Sequence, residues 1–216
     1  MQNTAASEQM IEQQVRAWEV LDPRVLELLR RVPRERFVPS SHRFLAFADV
    51  AVPLPHGQHM LHPNVAGRAL QALELTGAER VLEIGTGSGF LTACLAAGAN
   101  QVRSLELFEE LADMARTNLA AVGIRNAEVV TADATRSTSE LRYHAIAITA
   151  SLPLYDPQFE RQLEIGGRLF VVVGEAPVME ARLVRRRSED VWVTESLFET
   201  VLDPLINARR RESFAF

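Results

Sequence analysis

Residues Arg80–Phe90 read RVLEIGTGSGF, and this stretch decides the fold. Val81 to Ile84 form a short apolar run that stops at a glycine-rich turn, and helix-forming residues follow from Leu91 to Ala97. A buried parallel strand feeding a helix fits this order. Glycines at 85, 87 and 89 permit positive φ and let a ligand approach the backbone closely. The helix beyond presents unpaired N–H groups to the same ligand.

A dinucleotide fingerprint would put a small residue five positions after the first glycine, for close packing of helix on strand, but Phe90 stands there. The turn therefore suits a smaller nucleoside ligand without a pyrophosphate. Val102 to Leu105 make a second apolar strand ending in Glu106, roughly 20 residues beyond Gly85. A carboxylate there can accept both ribose hydroxyl protons. Strand, turn, helix, strand and terminal acid together point to S-adenosylmethionine, with its carboxylate at the helix N-terminus and its adenosine across the strand ends.

With 216 residues, 47% of them hydrophobic, the chain can bury one good core. The expected division is an N-terminal helical cap and substrate loop, 1–76, and a cofactor-binding core, 77–216. The net charge of -5 argues against a general nucleic-acid coat. All 23 basic residues are Arg, which excludes Schiff-base lysine chemistry and a phosphate loop ending in GK[ST]. The one cysteine, Cys94, lies on the apolar face of the helix after the turn, where packing is its expected role. Met1 to Met10 lack the charged start and apolar run of a signal peptide, and no segment has the 18 apolar residues of a membrane span. The expectation is a cytoplasmic protein.

Met1 to Thr4 read as frayed, and Ser7 to Trp18 as a helix whose inner face carries Met10, Ile11, Val15 and Trp18. Asp22 and Pro23 start a second helix, with Asp as N-cap, and Pro33 stops it. Arg30, Arg31, Arg34 and Arg36 read as a solvated face, and Phe37, Val38, Phe44, Leu45 and Phe47 as apolar anchors. Asp49 to Pro63, punctuated by proline and holding three of the five histidines, reads as a loop over a site. Pro63 opens a helix to about Leu75, ended by Thr76-Gly77.

Beyond Glu106 the pattern predicts a helix from Glu109 to Val122, capped by Gly123. Further strands are expected at Val129 to Thr131, leading to Asp133, at His144 to Thr149, and at Arg168 to Val173 after a Gly166-Gly167 turn. Strands alternating with helices mean an α/β, doubly wound parallel sheet. Val191 to Phe198 and Val201 to Ile206 suggest antiparallel edge strands, and the Arg185 to Arg187 and Arg209 to Arg211 runs read as solvated edges.

At this point the chain resembles the protein-L-isoaspartate (D-aspartate) O-methyltransferase family. The resemblance rests on MIEQQVRAWEVLDPRVLELLRRVPRERFVP, HGQHMLHP, VLEIGTGSGF, SLELFEELADMA, TADAT, YHAIAITAS and LEIGGRLFVVVG, and runs from about Met10 to Gly174. It implies a Rossmann-like methyltransferase core with the N-terminal helices and the GQ-loop forming part of the acceptor cleft. By position it assigns the cofactor to Gly85, Thr86, Gly87 and Gly89, to Glu106 and Leu107 at the ribose, to Asp133 and Ala134 at the adenine, and to Gln58 of the loop. The family's loop reads GQTIS, one residue and Pro; here His59 stands for the Thr and Leu61 for the Ser. Leucine can hydrogen-bond neither cofactor nor substrate.

Methyl transfer is an in-line displacement, so alignment and water exclusion are the main contributions a protein makes. A peptide or protein carboxylate acceptor is already ionised and needs no base. A small-molecule hydroxyl acceptor must lose a proton, and His59 or His62 could take it. Retained glycines and Glu106 with lost loop hydroxyls would also suit a cofactor-binding pseudoenzyme. The spacing of His56, His59 and His62, without a companion Cys or carboxylate cluster, does not favour a metal site. Ser151-Leu152-Pro153-Leu154-Tyr155 only loosely echoes the motif of nucleic-acid amino-methyltransferases.

Overall fold

The computed structural model describes residues 2–136 and 141–210. Its centre is a seven-stranded sheet. In chain order the elements are helices Gln2–Met10 (α1) and Pro23–Arg31 (α2), a small ribbon of Val52–Pro53 (β1) with His59–Met60 (β2), helix Pro63–Leu73 (α3), strand Arg80–Ile84 (β3), helix Phe90–Gly98 (α4), strand Gln101–Glu106 (β4), helix Glu109–Ala121 (α5), strands Ala127–Thr131 (β5) and Tyr143–Leu152 (β6), the short helix Pro157–Glu160 (α6), and strands Leu163–Glu175 (β7), Val178–Ser188 (β8) and Val191–Glu199 (β9). The sheet order is β5-β4-β3-β6-β7-β8-β9. All pairings from β5 to β7 are parallel, and β7, β8 and β9 are antiparallel. The α/β class, the mostly parallel sheet and the antiparallel C-terminal edge are those expected. Because β4 and β5 lie on one side of β3 and β6 on the other, the strand order reverses between β3 and β6, where open α/β sheets bind ligands.

Alternation along the strands sets the two faces of the core. Val81, Ala145, Ala147, Phe170 and Val172 share a cluster with the inner residues of the cap and of α3, α4 and α5, while Leu82, Ile84, Ile146, Ile148, Leu169 and Val171 face the other way. The small side chains of Ala145 and Ala147 let the helical layer approach closely, and Phe37 closes edge-on against Phe90 at 5.8 Å between ring centroids. Asp22 caps α2 as read, accepting from the Arg24 N–H at 2.8 Å. Cys94 is fully buried, and burial pushes its thiol up, out of the reactive range.

Several expectations are corrected. The first helix begins at Gln2 and continues past Met10 as a π-helical turn, Ile11–Val15, then a 3₁₀ turn, Arg16–Trp18. This change of pitch swings Trp18 off the buried stripe, leaving it edge-on to Phe198. Phe44 is 80% exposed rather than an anchor. The helix opened by Pro63 ends at Leu73 with Glu74 in the left-handed region, ahead of Gly77. Gly166-Gly167 lies inside β7, where a Cβ on Gly167 would crowd the carbonyls of Glu164, Tyr143 and His144. Val178–Ser188 is a strand the sequence reading passed over, and Val201 to Ile206 is not a strand but a segment crossing the sheet's C-terminal edge.

Two arginines read as solvated are buried. Arg186 stacks on Trp192 and donates to the carbonyls of Leu163, Ser188 and Glu189. Arg34, 2% exposed, lies over the Phe90 ring and donates to the carbonyls of Ala46 and Leu61. Desolvation lowers its pKa to about 10, still far above neutrality. Arg211 of the last basic run lies outside the described residues.

Candidate active site

The glycine turn joins β3 to α4, and Gly85, Gly87 and Gly89 all have positive φ. At Gly85 the requirement is double, because a Cβ would also overlap the Thr149 hydroxyl. That hydroxyl donates to the carbonyls of Gly85 at 2.6 Å and Ile84 at 3.0 Å, pinning the turn to the end of β6. Gly89 faces away from the ligand side, against Ala115 of α5. Thr86 turns inward and bonds Ser104 Oγ at 2.6 Å, so its side chain is a support of the turn.

Beneath the turn lies Glu83, a buried carboxyl. Its Oε2 accepts from Thr92 at 2.5 Å and from Ser104 at 2.6 Å, while Oε1 has no partner among the described residues. Burial pushes its pKa up to about 7 against the pull of the two hydroxyl donors, with a smaller push from the Glu106 charge.

Glu106, at the end of β4, accepts from the Gly87 N–H at 2.8 Å and from the Phe108 N–H at 3.1 Å. Each oxygen keeps a second lone pair, and the side chain lines a cavity of about 480 Å³. Leu107, Asp133 and Ala134 line the same cavity, as do Gly85 and Gly87. Burial would raise the pKa of Asp133, but hydrogen bonds from the Thr135 hydroxyl and amide and from Asn207, with the Arg136 charge, hold it below the usual carboxylate value. The cavity opens at the strand-order reversal and has the size of a small-molecule site.

Gln58, His59, Leu61 and His62 bring the proline-rich loop to the cavity. Three histidines clip this loop to three different places. His56 stacks on Phe108 at 4.1 Å and pairs with Glu110, His59 Nδ1 lies 2.8 Å from Asp203, and His62 Nδ1 lies 3.1 Å from Asp49. They do not converge on one point.

The opposite wall was missed by the sequence reading. It is the segment Val201–Ile206, tied down where Ser151 N donates to the Asp203 carbonyl and Leu205 N donates to the Ser151 carbonyl, both at 2.8 Å. Its apolar run and the Asp203-Pro204 break were visible, but nothing local distinguished a cavity wall from an edge strand. Thr86 and Gly89, expected at the cofactor, do not line this cavity.

A glycine turn beside a strand-end carboxylate, at the reversal of a mostly parallel sheet, is the nucleoside-binding arrangement of Rossmann-like folds, the class to which the Rossmann-like methyltransferases belong. The model of protein-L-isoaspartate(D-aspartate) O-methyltransferase (PCMT) matches residues 5–210, extending past Gly174, where the readable motifs ended. The chain is 42% identical over 205 residues to protein-L-isoaspartate O-methyltransferase 1 of Rhodopseudomonas palustris (strain HaA2), covering 94% of this chain and 83% of that one. It is 40% identical over 201 residues to protein-L-isoaspartate O-methyltransferase 2 of Pelobacter propionicus, covering 92% and 89%. The fold is also that of a Plasmodium falciparum protein-L-isoaspartate O-methyltransferase crystallised with S-adenosyl-L-homocysteine, with TM-score 0.78, 18% identity, and 94% and 97% of the two chains covered. The chain belongs to the protein-L-isoaspartate O-methyltransferase family, whose methyl donor is S-adenosylmethionine. No helix among the described residues is long and apolar enough to cross a membrane.

Proposed function

We propose that the protein is an S-adenosylmethionine-dependent O-methyltransferase in which the core, 77–216, holds the donor and the cap and loop, 1–76, complete the acceptor side. The observation that carries this reading is the Glu106 carboxylate, which holds the glycine turn through Gly87 and still offers lone pairs to the cavity. Glu106 takes the ribose hydroxyls, Asp133, Ala134 and Leu107 border the adenine, and Gly85, Gly87 and Gln58 lie toward the methionine end. Thr86 and Gly89 keep the turn in shape from behind. The donor supplies an electrophilic methyl group, and the protein's part is to align an oxygen with it and exclude water.

The acceptor of the named relatives, an isoaspartyl carboxylate, is expected to react slowly here. Leu61 faces the cavity where the family's loop carries a serine, and leucine offers such a peptide no hydrogen bond. Transfer of tritiated methyl to an isoaspartyl peptide tests this. Turnover on the order of 1 per second would restore the family's acceptor, and failure to bind S-adenosylhomocysteine in calorimetry would remove the methyltransferase reading itself.

A further inference from the structure

We propose that His59 binds the acceptor's carboxylate: as an imidazolium held by Asp203, it donates its Nε2–H to the carboxylate oxygen that does not attack, in place of the hydroxyl absent at Leu61. The proposal rests on the O-methyltransferase reading above and names the residue that positions the acceptor. The slow transfer to an isoaspartyl carboxylate expected from Leu61 then belongs to neutral and alkaline pH, and mild acid restores it.

His59 Nδ1 is 2.8 Å from Asp203 Oδ2, and both residues line the cavity. An ionised carboxylate only accepts, so a proton sits on Nδ1 whether the ring is neutral or charged. Neutral His59 therefore carries a lone pair on Nε2, and the imidazolium carries a donor there. No protein group among the described residues bonds Nε2. His59 also borders a second recess of about 40 Å³, shared with Leu61, Gly85, Thr86 and Gly87, which places it between the loop and the glycine turn. His62 borders only the larger cavity, and His56 is committed to Glu110 through Nε2. The Thr149 and Ser151 hydroxyls along the cavity already donate to carbonyls, those of Ile84 and Gly85 and that of Leu202.

Charge favours this role. Glu106, Asp133, Glu175 and Asp203 line the cavity, while Arg210 is its one guanidinium among the described residues. The bound donor adds a sulfonium, an ammonium and a carboxylate, leaving a net positive charge that draws an anion to the methyl carbon. The acceptor's second oxygen needs a partner of its own in that acidic surround. An imidazolium attracts it, and the lone pair of a neutral imidazole repels it. No proton moves in the transfer: one carboxylate oxygen bonds to the methyl carbon, the carbon–sulfur bond breaks with its electron pair passing to sulfur, and His59 keeps its proton. Because the carboxylate loses charge as the ester forms, the bond to His59 is at least as strong in the bound ground state as in the transition state. It therefore lowers KM rather than raising kcat.

The test is the pH dependence of tritiated methyl transfer to a synthetic isoaspartyl peptide with blocked termini and no other ionisable side chain, read as alkali-labile ester. Carboxylates and arginine ordinarily keep one charge from pH 6 to 8, whereas imidazole changes its own. KM should therefore fall roughly tenfold as pH drops from 8 to 6, with kcat changing less than about twofold. His59→Gln, neutral throughout, should hold KM near its alkaline value at every pH while S-adenosylhomocysteine affinity is retained. Asp203→Asn, which removes the counter-charge of the imidazolium, should push the fall to more acid pH. The controls are the other loop imidazoles, His56 and His62, and Glu83, whose buried carboxyl is pushed up to about 7. Each changed singly to Gln should leave the fall in place. Absence of ester at pH 6, a flat KM in the unmodified protein, a fall that survives in His59→Gln, or one that vanishes in a control overturns the proposal and leaves the methyltransferase reading standing. S-adenosylhomocysteine affinity that itself follows pH and weakens in His59→Gln would give the histidine to the donor and overturn it equally. Lost S-adenosylhomocysteine binding in the unmodified protein would be the failure of the earlier reading.

Discussion

The Arg34 guanidinium reaches from the helical cap to donate to the Leu61 carbonyl at 2.9 Å, joining the cap to the acceptor loop. The same group holds Ala46 O and lies over Phe90, the first residue of α4. Arg34→Met removes both donors and strands two carbonyls, so a loss of about 3 kcal/mol is expected by denaturant unfolding, with the loop loosened. Arg34→Lys can serve one carbonyl at a time and should recover only part of that loss.

Glu106→Ala should weaken S-adenosylhomocysteine binding by roughly 1.5 to 3 kcal/mol for each charge-assisted ribose hydrogen bond lost. It also leaves the Gly87 and Phe108 amides without their acceptor, so the turn itself should loosen. Calorimetry showing unchanged affinity would dissociate this carboxylate from the donor.

Gly85→Ala should abolish measurable donor binding, because the new methyl collides with Thr149 Oγ1 and the residue has a φ of 92°. In a Thr149→Ala background the collision is gone and only backbone strain remains. The cycle of single and double variants should show a favourable coupling of about 1 kcal/mol or more in unfolding free energy.

Glu83 gives stability a pH dependence of definite sign. Its folded pKa, about 7, lies above the ordinary glutamate value of 4.5 that the unfolded chain keeps, so between these values the native state holds a proton that the unfolded chain has released. The contribution of this group is therefore full below the unfolded value, falls as pH rises toward 7, and amounts to roughly 3 kcal/mol in total. Urea midpoints measured from pH 4.5 to 8 should lose that component in Glu83→Gln, whose side chain cannot titrate.

The core of the site could be read from the sequence because its signal is local. Val81 to Glu106 carries strand, turn, helix, strand and acid within one unit, and each piece stands where periodicity and glycine chemistry put it. Arg34 escaped because an arginine among arginines looks solvated, and its burial depends on carbonyls supplied from Ala46 and Leu61. Val178–Ser188 did carry a signal, with Met179, Ala181 and Leu183 buried at alternate positions, but the intervening charges masked it. The role of Asp203 had no local signal at all, since its partner histidine is 144 residues away.

The segment Val201–Ile206 is fastened to the sheet by the amide and carbonyl of Ser151 and by the Asp203–His59 pair rather than by a full strand ladder, so it keeps less net free energy than the strands beneath it. It should open as a unit well below the free energy of global unfolding. A ligand that binds only the closed form raises that opening energy by mass action. The amides of Leu202, Asp203 and Leu205 should therefore exchange with solvent deuterium on a shorter timescale than those of β3 and β6, and slow sharply when S-adenosylhomocysteine is added, making the ligand a fastener for the last piece of the fold.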